Sequence, residues 1–305
     1  MTREVDRNGL PNTLAEGTLP SLPPKPGIVT SKALPLNKSQ WNTKELPWRL
    51  TSDLTAAACA AGLVSPLITI IDRAIIENAS GRVALRTSIG TSIGTLVTRP
   101  HHFLKSRPFL LISALYFGTY VTANTIDTLS STVRCQSPSS TTAGPAKFLS
   151  TTAVNISLCL YKDSQYTKMF GPKPSGLVSP TRRVPRASFA LFALRDSMTV
   201  FASFNLPPLI APILPLTQNI EKQISRASAA QFLAPAGIQL FSTPLHLLGL
   251  DFYNRPAVSW RARVGRVGRD YLGSSLARMG RVIPAFGVGG VVNGGVRKRM
   301  IDMRL

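Results

Sequence analysis

Three basic residues share a spacing that could serve chemistry. Lys105, Arg182 and Arg281 each stand three positions before a proline, at the approach to an apolar stretch. The same spacing also occurs at Lys32 and Lys44, so the weight lies in where the three stand and not in the spacing alone. Cations gathered around one cavity inside an apolar bundle suit an anionic ligand such as a carboxylate, a phosphate or a nucleotide. Arginine adds a planar fork that pairs bidentately with such groups. The competing reading places all three at an interface, with long side chains reaching lipid phosphate. Arg195 and Asp196 form an adjacent charge pair within another apolar region, as a solute contact or as a structural ion pair. Lys105, Arg182, Arg281, Arg195 and Asp196 are therefore the candidate substrate-binding residues. His246 interrupts an otherwise charge-free stretch, as a proton-sensing imidazole or as a packed, hydrogen-bonded one.

Other chemistries lack their residues. Cys59, Cys135 and Cys159 give neither a disulfide framework nor a CxxC pair. The sequence contains no HExxH, no phosphate-binding glycine loop and no Ser/His/Asp set. No catalytic residues, cofactor or metal are expected, and the chain does not read as an enzyme. The Arg-rich run 260–269 contains a single aromatic, Trp260, which is a poor stacking platform. Anionic membrane lipid, cardiolipin among them, is the simpler partner for it, and no nucleic-acid partner is expected.

The elements that must position these residues follow from where charge is missing. Of 305 residues only 16% are charged and 44% are hydrophobic, yet 35 Lys+Arg against 14 Asp+Glu give a net charge of +21. That excludes wholesale disorder, which needs low hydrophobicity. Charge is absent from 54–71, 109–126, 197–220, 227–250 and 282–296, and 144–161 holds only Lys147. Most of these approach the roughly 20 apolar residues that a helix needs to cross a bilayer. They are rich in Ala, Gly, Ser and Thr, as close helix packing in lipid favours. Segments 77–107, 162–186 and 251–281 hold five, six and seven basic residues, while the alternate connections are poor in them. Alternation of this kind is the positive-inside pattern of a multi-span protein. The basic tail Arg297, Lys298, Arg299 and Arg304 runs against it. Residues 1–47 read as a disordered Pro-rich tail without a secretory signal, and Glu4, Asp6 and Glu16 argue against a matrix presequence.

The six stretches pair into three units, 48–135, 136–220 and 221–305. Ser65-Pro66-Leu67, Ile156-Ser157-Leu158 and Thr243-Pro244-Leu245 recur at spacings of 91 and 87 residues. With these markers and the basic-x-x-Pro entrances, the chain resembles the mitochondrial carrier family. The best local matches are 234–248 and 276–290. The resemblance implies an all-α membrane protein with six transmembrane helices in three pseudo-repeats of two. It implies a mid-cavity substrate role for Lys105, Arg182 and Arg281. The family's signature Pro-x-[Asp/Glu]-x-x-[Lys/Arg] is reduced here to Pro66-x-Ile68-x-x-Ile71, Ser157-x-Cys159-x-x-Lys162 and Pro244-x-His246-x-x-Gly249. Lys162 and His246 are thus gate remnants, and Arg195-Asp196 falls where the opposite gate would lie. One cation without an anion cannot close an ionic lock. The function this implies is transport of a small anionic metabolite across the mitochondrial inner membrane; the outer membrane and the peroxisome are alternatives. The other reading is a non-transporting scaffold or partner of inner-membrane respiratory or assembly complexes.

Overall fold

The computed structural model describes residues 41–141, 145–171, 183–215, 217 and 226–304. Arg182 and residues 1–40 of the expected tail lie outside the described residues. Among the described residues there is no strand. The chain forms α1 (Leu46–Ser80), α2 (Leu85–Thr98), α3 (Pro100–Leu104), α4 (Arg107–Val133), α5 (Pro145–Phe170), α6 (Arg186–Asn205), α7 (Pro207–Ile210), α8 (Arg226–Asn254), α9 (Trp260–Gly280) and α10 (Gly289–Asp302). A π-helical turn, Ile283–Val288, runs directly into α10.

Local chemistry sets these boundaries. α1 has a proline in its first turn and ends at Gly81, whose φ of 77° gives the left-handed C-terminal turn. Ser106 caps α4 by accepting from the Phe109 amide at 3.4 Å, and Pro108 fills the first turn, where its missing N–H costs nothing. A proline inside a helix frees the carbonyl four residues earlier, and at Pro244 a neighbouring helix supplies the donor. Pro244 leaves the Leu240 carbonyl without its intrahelical donor, and the Tyr271 hydroxyl of α9 donates to it at 3.1 Å. At the π turn the Tyr120 hydroxyl of α4 donates to the Ala285 carbonyl at 2.9 Å. A Cβ at Gly289 would collide with that hydroxyl, so glycine permits this close approach.

Each long helix packs on the next: α1 on α4, α4 on α5, α5 on α6, α6 on α8, α8 on the π turn, and the π turn with α10 back on α1. Ala56, Ala57, Ala60 and Ala61 bring the α1 backbone close to its neighbours. Beneath them Val64, Ile68, Ile76, Ile112, Tyr166, Phe192 and Leu250 form the apolar core.

Large apolar side chains lie on the exterior, and many charged ones lie in the interior beside the apolar core. Leu63, Leu110, Leu149, Leu194, Phe241 and Val291 are exposed, while Arg49, Asp53, Asp72, Lys162, Asp163, Arg195, Asp196, His246, Arg278 and Arg297 are buried. This inverts the arrangement water imposes and matches lipid outside with polar groups turned inward. α1 and α4 are long and apolar enough to cross a membrane, with mean hydropathies of 2.0 and 1.4 over their best stretches. Only 22% of that stretch of α4 is buried, unlike the core helix of a water-soluble protein.

The basic segments 77–107 and 251–281 are largely helical, holding α2 and α3, and α9. The charge-free stretch 197–220 is not one helix. α6 starts at Arg186, just after Pro185, carries Arg195 and Asp196 mid-helix and ends at Asn205; Pro207, Pro208 and Pro212 then allow only α7 and a short 3-10 turn.

Candidate solute-binding site

Five helices each place charged or polar side chains at one buried locus. α1 carries Asp72 one turn beyond Ile68, on the face that packs inward. α5 carries Lys162 and Asp163, one turn before Tyr166 and Thr167. α6 carries Arg195 and Asp196 after Phe192, α8 carries His246, and α9 carries Arg278 and is followed by Arg281.

These groups make a continuous chain of contacts. Asp72 pairs with Lys162 at 2.8 Å and with Arg281 at 2.6 Å. Lys162 also pairs with Asp163 at 2.5 Å, and Asp163 with Arg195 at 2.6 Å. Arg195 reaches Asp196 at 2.7 Å and the Nδ1 of His246 at 2.7 Å. An arginine only donates, so Nδ1 is the acceptor and the proton of this neutral imidazole sits on Nε2. Aromatic faces support the cations. The Arg195 guanidinium lies 5.6 Å from the Phe192 ring centre and the Lys162 ammonium 5.5 Å from that of Tyr166. Gly249 makes room for Phe192, since a Cβ there would fall 2.6 Å from its ring.

A second buried polar cluster lies near the start of α1. Asp53 accepts from Arg297 at 2.6 Å and from the Thr128 hydroxyl at 2.6 Å. Arg49 donates to the Asn42 carbonyl, the Thr128 carbonyl and the Ser131 hydroxyl. Asn124 and Asn293 exchange amide hydrogen bonds at 2.9 and 2.8 Å. α1, α4 and α10 are tied together there.

The structure gathers Lys162, Arg195, Asp196, His246 and Arg281 into the central network. Lys105 follows α3, is exposed and forms none of the network's ion pairs, so it does not join Arg281 around one cavity. The reading of Lys162 as a cation without an anion is also corrected: Asp72 and Asp163 flank it. The sequence reading missed Asp72, Asp163 and Arg278 as site residues, and Arg49, Asp53 and Arg297 in the second cluster. Asp72 stands one residue beyond the charge-free stretch 54–71, and Asp163 follows Lys162 directly. In a chain with only 14 acidic residues, that adjacency was the available signal. Among the described residues, no group of three His, Cys, Asp or Glu is arranged to hold a metal ion.

A family model described as "Probable citrulline exporter" matches residues 56–301, most of the chain and all of the network. The chain belongs to this citrulline exporter family. No curated protein and no solved structure matches it. Membership in the exporter family corrects the resemblance to mitochondrial carriers. The physical mark of the difference is where the charges sit. The acidic positions of the carrier signature are occupied here by Ile68, Cys159 and His246, whereas the acids that pair with Lys162 in this exporter-family chain are Asp72 and Asp163. Roles and a mitochondrial address drawn from the carrier resemblance lose that support. For this exporter-family chain the membrane and transport reading rests instead on the family match, the apolar exterior and the buried ionic core.

Proposed function

We propose that this chain moves a small zwitterionic amino acid, citrulline, across a membrane, with the central ionic network as the polar part of its path. The observation that carries this reading is the network itself: cations and carboxylates alternate within a bundle whose outer surface is apolar. Ionisable groups held at such depth mark a solute or ion pathway. Citrulline presents a carboxylate, an ammonium and a neutral ureido group. A site with both signs of charge side by side matches that solute better than the anionic metabolite expected from three cations alone.

Six spans are the layout that serves this path: α1, α4, α5, α6, α8, and the π turn continued by α10. Support comes from their closed order of packing and from large apolar side chains exposed along them. Exposure of Arg261 and Arg269 on α9 supports anionic lipid headgroups as the partner of that helix in this reading.

The test is flux of labelled citrulline from vesicles containing the purified protein. Efflux well above that of protein-free vesicles is expected, and Asp72→Asn, which leaves Lys162 and Arg281 without their shared anion, should lower it at least tenfold. Citrulline flux equal to that of protein-free vesicles overturns the reading.

A further inference from the structure

Among the described residues, Arg278 is the cation of the central locus that no ion pair uses. Its side chain is 1% exposed, and neither Nε nor Nη2 has a hydrogen-bond partner. It lies within electrostatic reach of Asp72, Asp196, Arg195 and Arg281. Two more unpartnered groups share its helix face. Ser274 and Ser275 stand four and three residues earlier, at 1% and 0% exposure, and neither hydroxyl has a partner. Positions three and four apart meet on one side of a helix, so α9 turns a guanidinium and two hydroxyls inward with their donors unspent. Across the locus, Asp196 gives one carboxylate oxygen to Arg195 and leaves Oδ2 without a partner.

A buried guanidinium without an acceptor is costly, and native proteins keep such groups where something else completes them. The charge count says what that is. Four cations, Lys162, Arg195, Arg278 and Arg281, face three carboxylates, Asp72, Asp163 and Asp196. A solute carboxylate would give the fourth cation a partner, and an ammonium carried with it would need an acceptor of its own. Guanidinium and hydroxyl donors together match a carboxylate's two oxygens. The free oxygen of Asp196 matches an ammonium beside it.

We propose that Arg278, with Ser274 and Ser275, is the subsite that binds the α-carboxylate of an amino-acid solute, and that Asp196 Oδ2 receives its α-ammonium. The inference rests on the amino-acid transport reading and names the contacts that reading leaves open. Recognition through these contacts selects for the α-amino-acid end and leaves the far end of the side chain to other surfaces. Basic solutes with the same α-amino-acid end would meet the same contacts, whereas amines lacking the carboxylate would not.

The experiment compares citrulline with N-carbamoylputrescine, the same molecule with hydrogen in place of the carboxylate, in vesicles containing the full chain. The wild-type protein should take citrulline with a KM at least about tenfold below that of the amine, as charge-assisted hydrogen bonds warrant. Arg278→Gln should raise the citrulline KM about tenfold or more, leave that of the amine unchanged, and bring the two within about twofold. Unchanged discrimination in Arg278→Gln overturns the subsite. If that variant does not fold, Ser274→Ala/Ser275→Ala serves instead: a rise of about threefold or more in the citrulline KM alone supports the subsite, and no change overturns it. A wild-type protein that moves both solutes equally well overturns the subsite while the transport reading stands. A wild-type protein that moves neither ends the transport reading, and the subsite with it.

Discussion

Arg49 and Arg278 are both buried arginines, at 0% and 1% exposure, on helices of the same bundle, and they meet opposite surroundings. Arg49 lies against the last turns of α4 and donates to the carbonyls of Asn42 and Thr128 and to the Ser131 hydroxyl. Two carbonyls and one hydroxyl hold this cation, and among the described residues it forms no ion pair. Arg278 has no such acceptor at Nε or Nη2, and the nearby carboxylates already pair with Lys162, Arg195 and Arg281, leaving only Asp163 Oδ1 and Asp196 Oδ2 without a hydrogen bond. The same residue type at the same burial is therefore a fastener in one region and an open binding group in the other. What separates them is how many donors have acceptors: Arg49 uses both terminal nitrogens and leaves only Nε open, whereas Arg278 leaves Nε and Nη2 open.

The largest effect should come from breaking the network between its two best-paired cations. Asp163 is fully buried and bonds both Lys162 and Arg195, so Asp163→Asn leaves two buried cations short of charge. Removing one partner of a buried pair costs about 3–5 kcal/mol. Thermal unfolding in detergent should show the loss, and Arg195→Gln added to it should cost less than the two changes summed. Additive losses would mean the two side chains do not act as a unit.

The comparison itself is sharpened by a pair of equivalent substitutions. Arg49→Gln removes donors that are in use: the Asn42 carbonyl loses its side-chain donor and the Thr128 carbonyl and Ser131 hydroxyl each lose one bond while keeping the one between them, so it should cost about 1–3 kcal/mol. Arg278→Gln removes a guanidinium whose Nε and Nη2 are unsatisfied, and stability should stay level or rise. Binding of citrulline should reverse the order: ligand-induced stabilisation survives Arg49→Gln and is lost in Arg278→Gln. Equal destabilisation by both would assign Arg278 a fastening role like that of Arg49.

Much of the scaffold was legible in the sequence, because stretches without charge locate apolar helices whatever they pack against. Five of the network's side chains were legible too, since Lys162, Arg195, Asp196, His246 and Arg281 stand out against apolar surroundings. Their partners were not. Asp72 meets Lys162 across 90 residues and Arg281 across 209, and no local spacing encodes such a pairing. The search for an acid at a fixed offset from each proline looked at Ile68, Cys159 and His246 and passed over Asp72 and Asp163. Arg278 was hidden differently. It falls in a run of seven basic residues, and only the fold of α9 distinguishes it from Arg261 and Arg269, which are exposed, and from Arg263, which is buried but paired with Asp251.

A smaller effect tests whether packing beside the network is as tight as the geometry indicates. A methyl group at Gly249 would meet the Phe192 ring at 2.6 Å, and that ring supports the Arg195 guanidinium. Gly249→Ala should cost about 1–3 kcal/mol by overpacking, even though alanine is the better helix former. A stabilised Gly249→Ala protein would show that Phe192 can move aside and that the cation over it is less fixed than its contacts suggest.

The smallest effect falls on α9, which carries the open arginine. Pro244 removes the donor that the Leu240 carbonyl would otherwise have, and the Tyr271 hydroxyl replaces it from α9 at 3.1 Å. Tyr271→Phe leaves ring packing in place and deletes that one bond, at a cost of about 1 kcal/mol. Tyr271 lies on α9, three residues before Ser274 and seven before Arg278, so loosening this tether frees the element that presents the open face. The citrulline KM should then rise by a small factor while the Arg49 cluster, tied to α4 and α10, is unaffected. Hydrogen exchange makes the distinction directly: faster exchange in α9 and unchanged exchange at the start of α1 is the expected pattern. Equal acceleration in both regions would show that the fastened cluster and the open site are one cooperative unit.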